Sequence, residues 1–382
     1  MTGDLGVSCE IAVVGAGITG LSSALALARA GVGPVVVVER SGVGAEASGV
    51  QPGGVRQQWS TRVNCLLARE SADYFRNLGD HLDASVSPVL ESCGYIFLAH
   101  SAKQLGRLTA DVAVQNAAGV PSVILTPDQA AEVVPDLTID SIVGAAWCSE
   151  DGYFDRPQSV VEAFAQAAER EGVSIVIAQV EELRSVNQGW TLVLADGRKV
   201  FAPAVVIATG CDAPAMVAPL GIELPIRKDP RYLFLSEPIR ERLLEPLVVS
   251  GERAFAAKQL ANGRVLASDL TAYGESAPDS DARRKVVREH IEQLLPRLQY
   301  VSLPVVVEGT YDTTPDHQPV VAEVDAGLWV SAGFSGHGFM LAPAIARRLA
   351  TAMMGGSDDD LLAAFSHERF SRPELVYESA VV

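Results

Sequence analysis

Four consecutive apolar residues, Ile11 to Val14, lead into glycines and then into helical spacing of apolar positions through Ala30; a second apolar run, Val35 to Val38, follows. Strands that are apolar at every position are buried on both faces. The strand–helix–strand unit therefore predicts a parallel sheet covered on both sides. Thr61–Leu78 has amphipathic helical periodicity, as do Arg156–Gly172, Asp281–Leu295 and Phe339–Met353. Pro157 falls in a first turn that tolerates it. Short strands are predicted at Tyr95–Leu98, Ser174–Ala178, Ala204–Ile207 and Leu328–Ser331, and at Trp190–Leu194 before an Asp196-Gly197 turn. Tyr232–Ser236, Val265–Ser268 and Leu303–Tyr311 read as antiparallel strands. The pattern weakens between Val86 and Trp147.

Gly15-Ala16-Gly17-Ile18-Thr19-Gly20 sits between the first strand and the first helix. That context turns a weak GxGxxG match into a strong one. Gly15 permits the tight turn, Gly17 lets backbone approach a pyrophosphate, and Gly20 lets the helix pack on the strand. The exposed N–H groups and the positive helix end bind phosphates. Glu39 ends the second strand nineteen residues on. A carboxylate there accepts hydrogen bonds from ribose hydroxyls and repels a 2′-phosphate. A dinucleotide site is therefore expected, and NADP disfavoured.

Ser41–Trp59 is long and glycine-rich, with Ala47-Ser48-Gly49 and Gly53-Gly54-Val55-Arg56, more than an NAD dehydrogenase needs there. Together with Val14–Leu21, Glu39-Arg40, Ala208-Thr209-Gly210, Tyr311-Asp312-Thr313-Thr314-Pro315-Asp316 and Gly333-Phe334-Ser335-Gly336-His337-Gly338-Phe339, the chain resembles the D-amino acid oxidase superfamily of flavoproteins. The resemblance runs over nearly the whole length, and its motifs look most like sarcosine oxidase and proline dehydrogenase β-subunits. It implies an α/β fold: a Rossmann-type FAD-binding domain (1–85, 148–222 and 319–382) with an interleaved antiparallel-sheet substrate domain (86–147 and 223–318). It implies FAD held by Gly15, Gly17, Ile18, Thr19, Gly20, Glu39, Arg40, Ala47, Ser48, Gly53, Gly54, Val55, Arg56, Val180, Thr209, Gly210, Gly333, Gly336, His337, Gly338, Phe339 and Met340. The Gly333–Gly338 turn opens a helix, so its N–H groups and dipole point at a ligand; in the family this is the pyrimidine end of the flavin. Gly309 stands where the sarcosine oxidase branch carries its flavin-linking cysteine, which implies non-covalent FAD.

The resemblance further implies oxidation of a C–H bond beside an amine nitrogen, giving an imine. The family's carboxylate-clamping arginine and lysine are replaced here by Trp59 and Met340. Arg227, Arg231 and Tyr232 are the candidate replacement, because Arg offers a bidentate fork; the alternative is that these are surface arginines near a loop. Arg56 and Tyr311 match family residues near flavin and substrate. His337 has an electrostatic role or only shapes the turn. Lys258 is the candidate cation for oxygen activation, with a structural salt bridge as its alternative. A secondary or cyclic amino acid is the favoured substrate, with O2 or another electron acceptor. The alternatives are a 2-hydroxy acid or tailored metabolite, or a β-like subunit docking a partner through Leu375–Val382.

Composition adds exclusions. Among 382 residues the formal net charge is -17, so nucleic acid and anionic membranes are poor partners. Five scattered cysteines make a disulfide framework or zinc site unexpected. No apolar run reaches membrane-spanning length and the first ten residues do not read as a signal peptide, so a cytoplasmic location is expected. Oligomeric state is left open.

Overall fold

A computed structural model describes residues 6–84, 87–271, 278–356 and 361–381. Three larger sheets organise it. The first has six strands in the order Val320–Asp325, Leu328–Ala332, Ala204–Ile207, Ile11–Val14, Val35–Glu39, Ser174–Ile177. All neighbours are parallel except the outermost pair, Val320–Asp325 against Leu328–Ala332. Its central strands are buried at nearly every position, as their uninterrupted apolar runs require. Helices Ile18–Arg29, Arg62–Arg76, Pro157–Arg170 and Gly338–Met353 contribute to the core on one side. A four-stranded sheet (Gly6–Ser8, Lys199–Ala202, Gly189–Leu194, Val180–Val186) contributes to the core on the other.

The third sheet has eight strands: Val305–Thr313, Arg227–Leu235, Val265–Asp269, Phe255–Gln259, Leu247–Ser250, Tyr95–Ala99, Gly144–Cys148 and Val123–Leu125. Only the Leu247–Ser250/Tyr95–Ala99 pair is parallel. Side chains alternate across a strand, so register decides which residues share a face. Arg231 opposes Gly309, Asp229 opposes Tyr311, Leu233 opposes Ser268, and Lys258 opposes Leu266. Counting by twos from these pairs places Arg231, Leu233, Tyr311, Leu266, Ser268, Ala256 and Lys258 on one face. Phe234, Ala257, Val265 and Ala267 fall on the other, in a core with Val287, Ile291 and Leu294 of helix Ser280–Leu294.

The expected elements occur within a few residues of their ends. The weak stretch after Val86 contains a helix, Ala102–Ala117, started by Ser101, whose hydroxyl accepts from Gln104 N at 3.1 Å. Its periodicity is blurred because two inward positions are polar, Asp111 and Gln115. Val180–Val186 was also not expected as a strand; only Leu183 of it is buried, so it lacks an apolar face to read. No described helix is long and apolar enough to cross a membrane.

Candidate active site

The first strand ends at Val14 and the chain turns sharply. Gly15 has φ +108°, and a Cβ on it would lie 2.5 Å from the Ala208 carbonyl oxygen. No other residue fits between these two strand ends. Helix Ile18–Arg29 starts at Gly17 without a side-chain cap from that residue. Ser48 Oγ accepts from Ile18 N at 3.1 Å, which places Ala47-Ser48 over the helix N-terminus. Glu39 Oε2 accepts from Ala16 N and Oε1 from Ser41 N, each at 2.8 Å, so the carboxylate faces the glycine turn. Arg40 bridges Glu46 and Asp212, both at 2.8 Å. Thr209 and Gly210 follow the neighbouring strand, and Thr209 Oγ1 is buried without a partner. Val180 starts its strand just beyond Ile177, on the Glu39 side. These groups fit an adenosine diphosphate: a glycine turn at a helix start, a carboxylate for the ribose, and an unpartnered buried hydroxyl.

At the other end, Gly53-Gly54-Val55-Arg56 passes under the third sheet, with Gly54 pairing Tyr153. The Gly333–Gly338 turn faces it. Gly333 N donates to Asp312 Oδ2 at 2.7 Å and Ser335 N to the Asp312 carbonyl at 3.1 Å. Burial pushes the Asp312 carboxyl up, against hydrogen bonds from Phe334 and Gly333. Gly336 has φ +86°, and a Cβ there would meet the Tyr311 ring at 2.3 Å. The turn is thus locked by the motif Tyr311-Asp312 and leads into helix Gly338–Met353; its N–H groups are taken up by Asp312 and by the Phe334 carbonyl, not left pointing at a ligand as the sequence suggests.

Arg56 is fully buried. Its guanidinium lies 4.0 Å from the centroid of the Trp59 ring, donates to the carbonyls of Gln58 and Ala380, and sits 3.4 Å from His337 Nε2. Burial, with Arg56 and His317 adding to it, holds the His337 imidazole well below its ordinary value. Asp151, which the sequence reading missed, ties the Arg56 loop down: it accepts from Gln57 N at 2.8 Å and Gln58 Nε2 at 3.0 Å. Burial pushes Asp151 up to about 6.

Above this floor, the third sheet's face encloses an apolar cavity of about 70 Å3, bordered among others by Tyr95, Val249, Lys258, Leu266, Arg231 and Tyr311. Arg231 lies over the Tyr311 ring at 4.8 Å, with Asp229 Oδ1 at 2.6 Å from Nη1, while Arg231 Nε is buried without a partner. Lys258 is fully buried; Nζ donates to the Pro52 carbonyl and lies 3.9 Å from the Tyr153 ring centroid.

Three expectations change. The Tyr232 ring, one residue from Arg231, points to the opposite face and packs under Arg283 at 4.1 Å, although the residue borders the cavity. Lys258 forms no ion pair among the described residues; it replaces the expected salt bridge with a carbonyl and an aromatic face. Trp59 and Met340, at the family's clamp positions, are buried in the core and border neither described cavity; Trp59 supports Arg56 and His337 edge-on at 4.6 Å.

A family model described as DAO, FAD dependent oxidoreductase, matches residues 10–352. The chain is similar to FAD-dependent oxidoreductase domain-containing protein 1 of Xenopus laevis, 27% identical over 436 residues, covering 100% of this chain and 86% of that protein. It is also similar to D-amino acid dehydrogenase of Cereibacter sphaeroides, 27% identical with 97% and 98% covered. Among solved structures, L-proline dehydrogenase from P. horikoshii superposes with a TM-score of 0.89 at 26% identity, covering 97% of this chain and 100% of that one. The turn-and-helix phosphate cradle, the glycine turn that ends against Tyr311, and a match spanning most of the length agree: the chain belongs to the DAO family of FAD-dependent oxidoreductases.

Proposed function

We propose that this enzyme uses non-covalently held FAD to oxidise an amine or amino acid at the C–H bond beside nitrogen, with a secondary or cyclic amino acid as the favoured substrate and an imine as product. Bound FAD supplies the hydride acceptor. The observation that carries the reading is the Arg231 guanidinium on an otherwise largely apolar cavity wall, with its buried Nε unpartnered. A buried donor without an acceptor is costly, and a substrate carboxylate satisfies it. Tyr311 and the apolar face orient the substrate and exclude water, which favours a neutral amine. Gly309 lies opposite Arg231 on the sheet, where a cysteine in the sarcosine oxidase branch links the flavin. The similarity to D-amino acid dehydrogenase and L-proline dehydrogenase supports amino acid chemistry of this kind.

Oxidation of a 2-hydroxy acid needs a base for the hydroxyl proton. His337 sits against the Arg56 cation and is opposed to taking a proton, which favours the amine. Lys258, close to the Pro52 carbonyl ahead of the flavin-side glycines, is the group that, in its protonated form, would assist reaction with O2. The test is an anaerobic titration of the yellow protein with proline, sarcosine, glycine and a series of D- and L-amino acids. Bleaching by one class and return of colour in air support an amine oxidase; bleaching without return supports a dehydrogenase. A flavin that only hydroxy acids bleach sinks the proposal.

A further inference from the structure

Residues 374–381 form neither helix nor strand. The sequence suggests Leu375–Val382 as an apolar docking strand; Val382 lies outside the described residues, and the rest is fastened differently. Val376 and Tyr377 are exposed, whereas the charged Glu378 is fully buried. Its carboxylate accepts from Ser60 N (2.9 Å), Ser60 Oγ, Thr61 N (3.1 Å), Thr61 Oγ1 (2.8 Å), Asn64 Nδ2 (3.0 Å) and Ala380 N (2.8 Å). Burial alone would raise its pKa; these donors outweigh burial and hold the carboxyl below its ordinary value.

The backbone continues the stitching. Glu378 N donates to the Asp316 carbonyl at 3.0 Å, and Ser379 N to Ser60 Oγ at 2.9 Å. Arg107, on helix Ala102–Ala117, donates to the Ser379 carbonyl, and Arg56 to that of Ala380. One short segment thereby joins the Arg56 loop, the Thr314–Asp316 motif and the helix beside the third sheet. Its last described residue, Val381, lies in the wall of an outer cavity of about 210 Å3 together with Asp229, Arg231, Tyr311, His317 and Ser335. Arg231, Leu270 and Tyr311 border both this space and the inner cavity. The outer cavity therefore adjoins the inner one, and Val381 lines it.

We propose that Glu378–Val381 is a strap forming one wall of the substrate entrance: Glu378 latches it, the Ala380 carbonyl positions the Arg56 guanidinium, and Val381 limits the size of the group the substrate carries away from its reacting carbon. The size limit rests on the amine reading above; the strap's control of access does not.

The experiment uses the FAD-loaded full chain and three variants, Val381→Gly, Val381→Trp and Glu378→Gln. The Val381 variants leave the Glu378 socket untouched, so they fold even where the latch variant does not. Acrylamide quenching of the bound flavin's fluorescence reads access without a substrate. Val381→Gly raises the quenching constant at least about threefold, Glu378→Gln does the same, and Val381→Trp lowers it. With the amino acid that bleaches the flavin, Val381→Gly shifts KM by about tenfold in favour of longer side chains while kcat for the smallest substrate stays within about twofold. Equal quenching constants in all four proteins overturn the strap. Altered quenching with an unchanged size preference overturns Val381 as the size limit. Altered quenching when no amine bleaches the flavin retains the strap and removes the amine reading instead.

Discussion

Replacing Lys258 by Met tests whether its ammonium is destabilised by its surroundings. The side chain is fully buried. Burial pushes its pKa down from 10.5 to about 7, against the weaker pull of Cys93 and Asp155. The Pro52 carbonyl and the Tyr153 ring solvate the charge in part, and Arg242, which donates to Tyr153 Oη at 3.4 Å, adds a like charge nearby. Asp269 and Arg231 border the same cavity. A displacement of this size corresponds to about 5 kcal/mol between the charged and neutral forms. The sign follows from proton counting. Unfolded Lys258 keeps its proton up to about pH 10.5, whereas folded Lys258 releases it near pH 7. Between those values the unfolded state binds more protons, so the wild type gains stability as pH rises; below pH 7 the full penalty is present.

The Met variant has no such slope. Its stability advantage over the wild type shrinks by about 2 kcal/mol between pH 7 and pH 9, the integral of the proton difference over that window. Urea unfolding of both FAD-free proteins at the two pH values, with equal m-values, measures it. An advantage that changes by less than about 0.5 kcal/mol would show that Lys258 keeps its proton when folded and would refute the burial argument. With FAD bound, the same variant slows the return of colour in air if Lys258 assists O2, while anaerobic bleaching keeps its rate.

Arg231→Met raises KM for the amino acid that bleaches the flavin by about 30-fold or more, with a smaller change in kcat, because it removes a charged carboxylate contact present before reaction; an unchanged KM places the carboxylate elsewhere. Glu39→Ala weakens FAD binding by about tenfold or more, through loss of the acceptor at the glycine turn, and equilibrium dialysis with FAD measures it. Asp316→Asn breaks the buried bidentate pair with Arg369, whose Nε–Oδ2 and Nη2–Oδ1 distances are 2.7 and 3.0 Å, and costs about 3–5 kcal/mol in urea unfolding. Gly336→Ala forces a Cβ into the Tyr311 ring and costs about 1–3 kcal/mol at a positive-φ site, with weakened flavin binding as the second readout.

The cofactor half of the site was legible because its determinants are local. Gly15 to Gly20 lie within one turn, and Glu39 ends the next strand in the chain. Strand, turn and helix can be read together without knowing how distant segments pair. Asp151 and Glu378 could not be found this way. Each is an isolated acid in the sequence, and what marks them, a fully buried carboxylate ringed by donors, exists only once Gln57–Gln58 or Ser60–Asn64 is folded against it.

The substrate half depends on phase. Arg227–Leu235 reads Arg-Lys-Asp-Pro-Arg-Tyr-Leu-Phe-Leu, polar first and then apolar, with no alternation that assigns a face. Its partner strands impose the phase: Arg231 lies opposite Gly309, Tyr232 opposite Glu308, and pairing with Val265–Asp269 begins only at Tyr232. The sequence can therefore nominate the segment while leaving Arg231 and Tyr232 equivalent. A one-residue change of register exchanges them between cavity and core. Gly309 fits the same register. Directly opposite Arg231 it presents no side chain, and a Cβ there would meet Val50 Cγ2 at 3.5 Å, an ordinary contact.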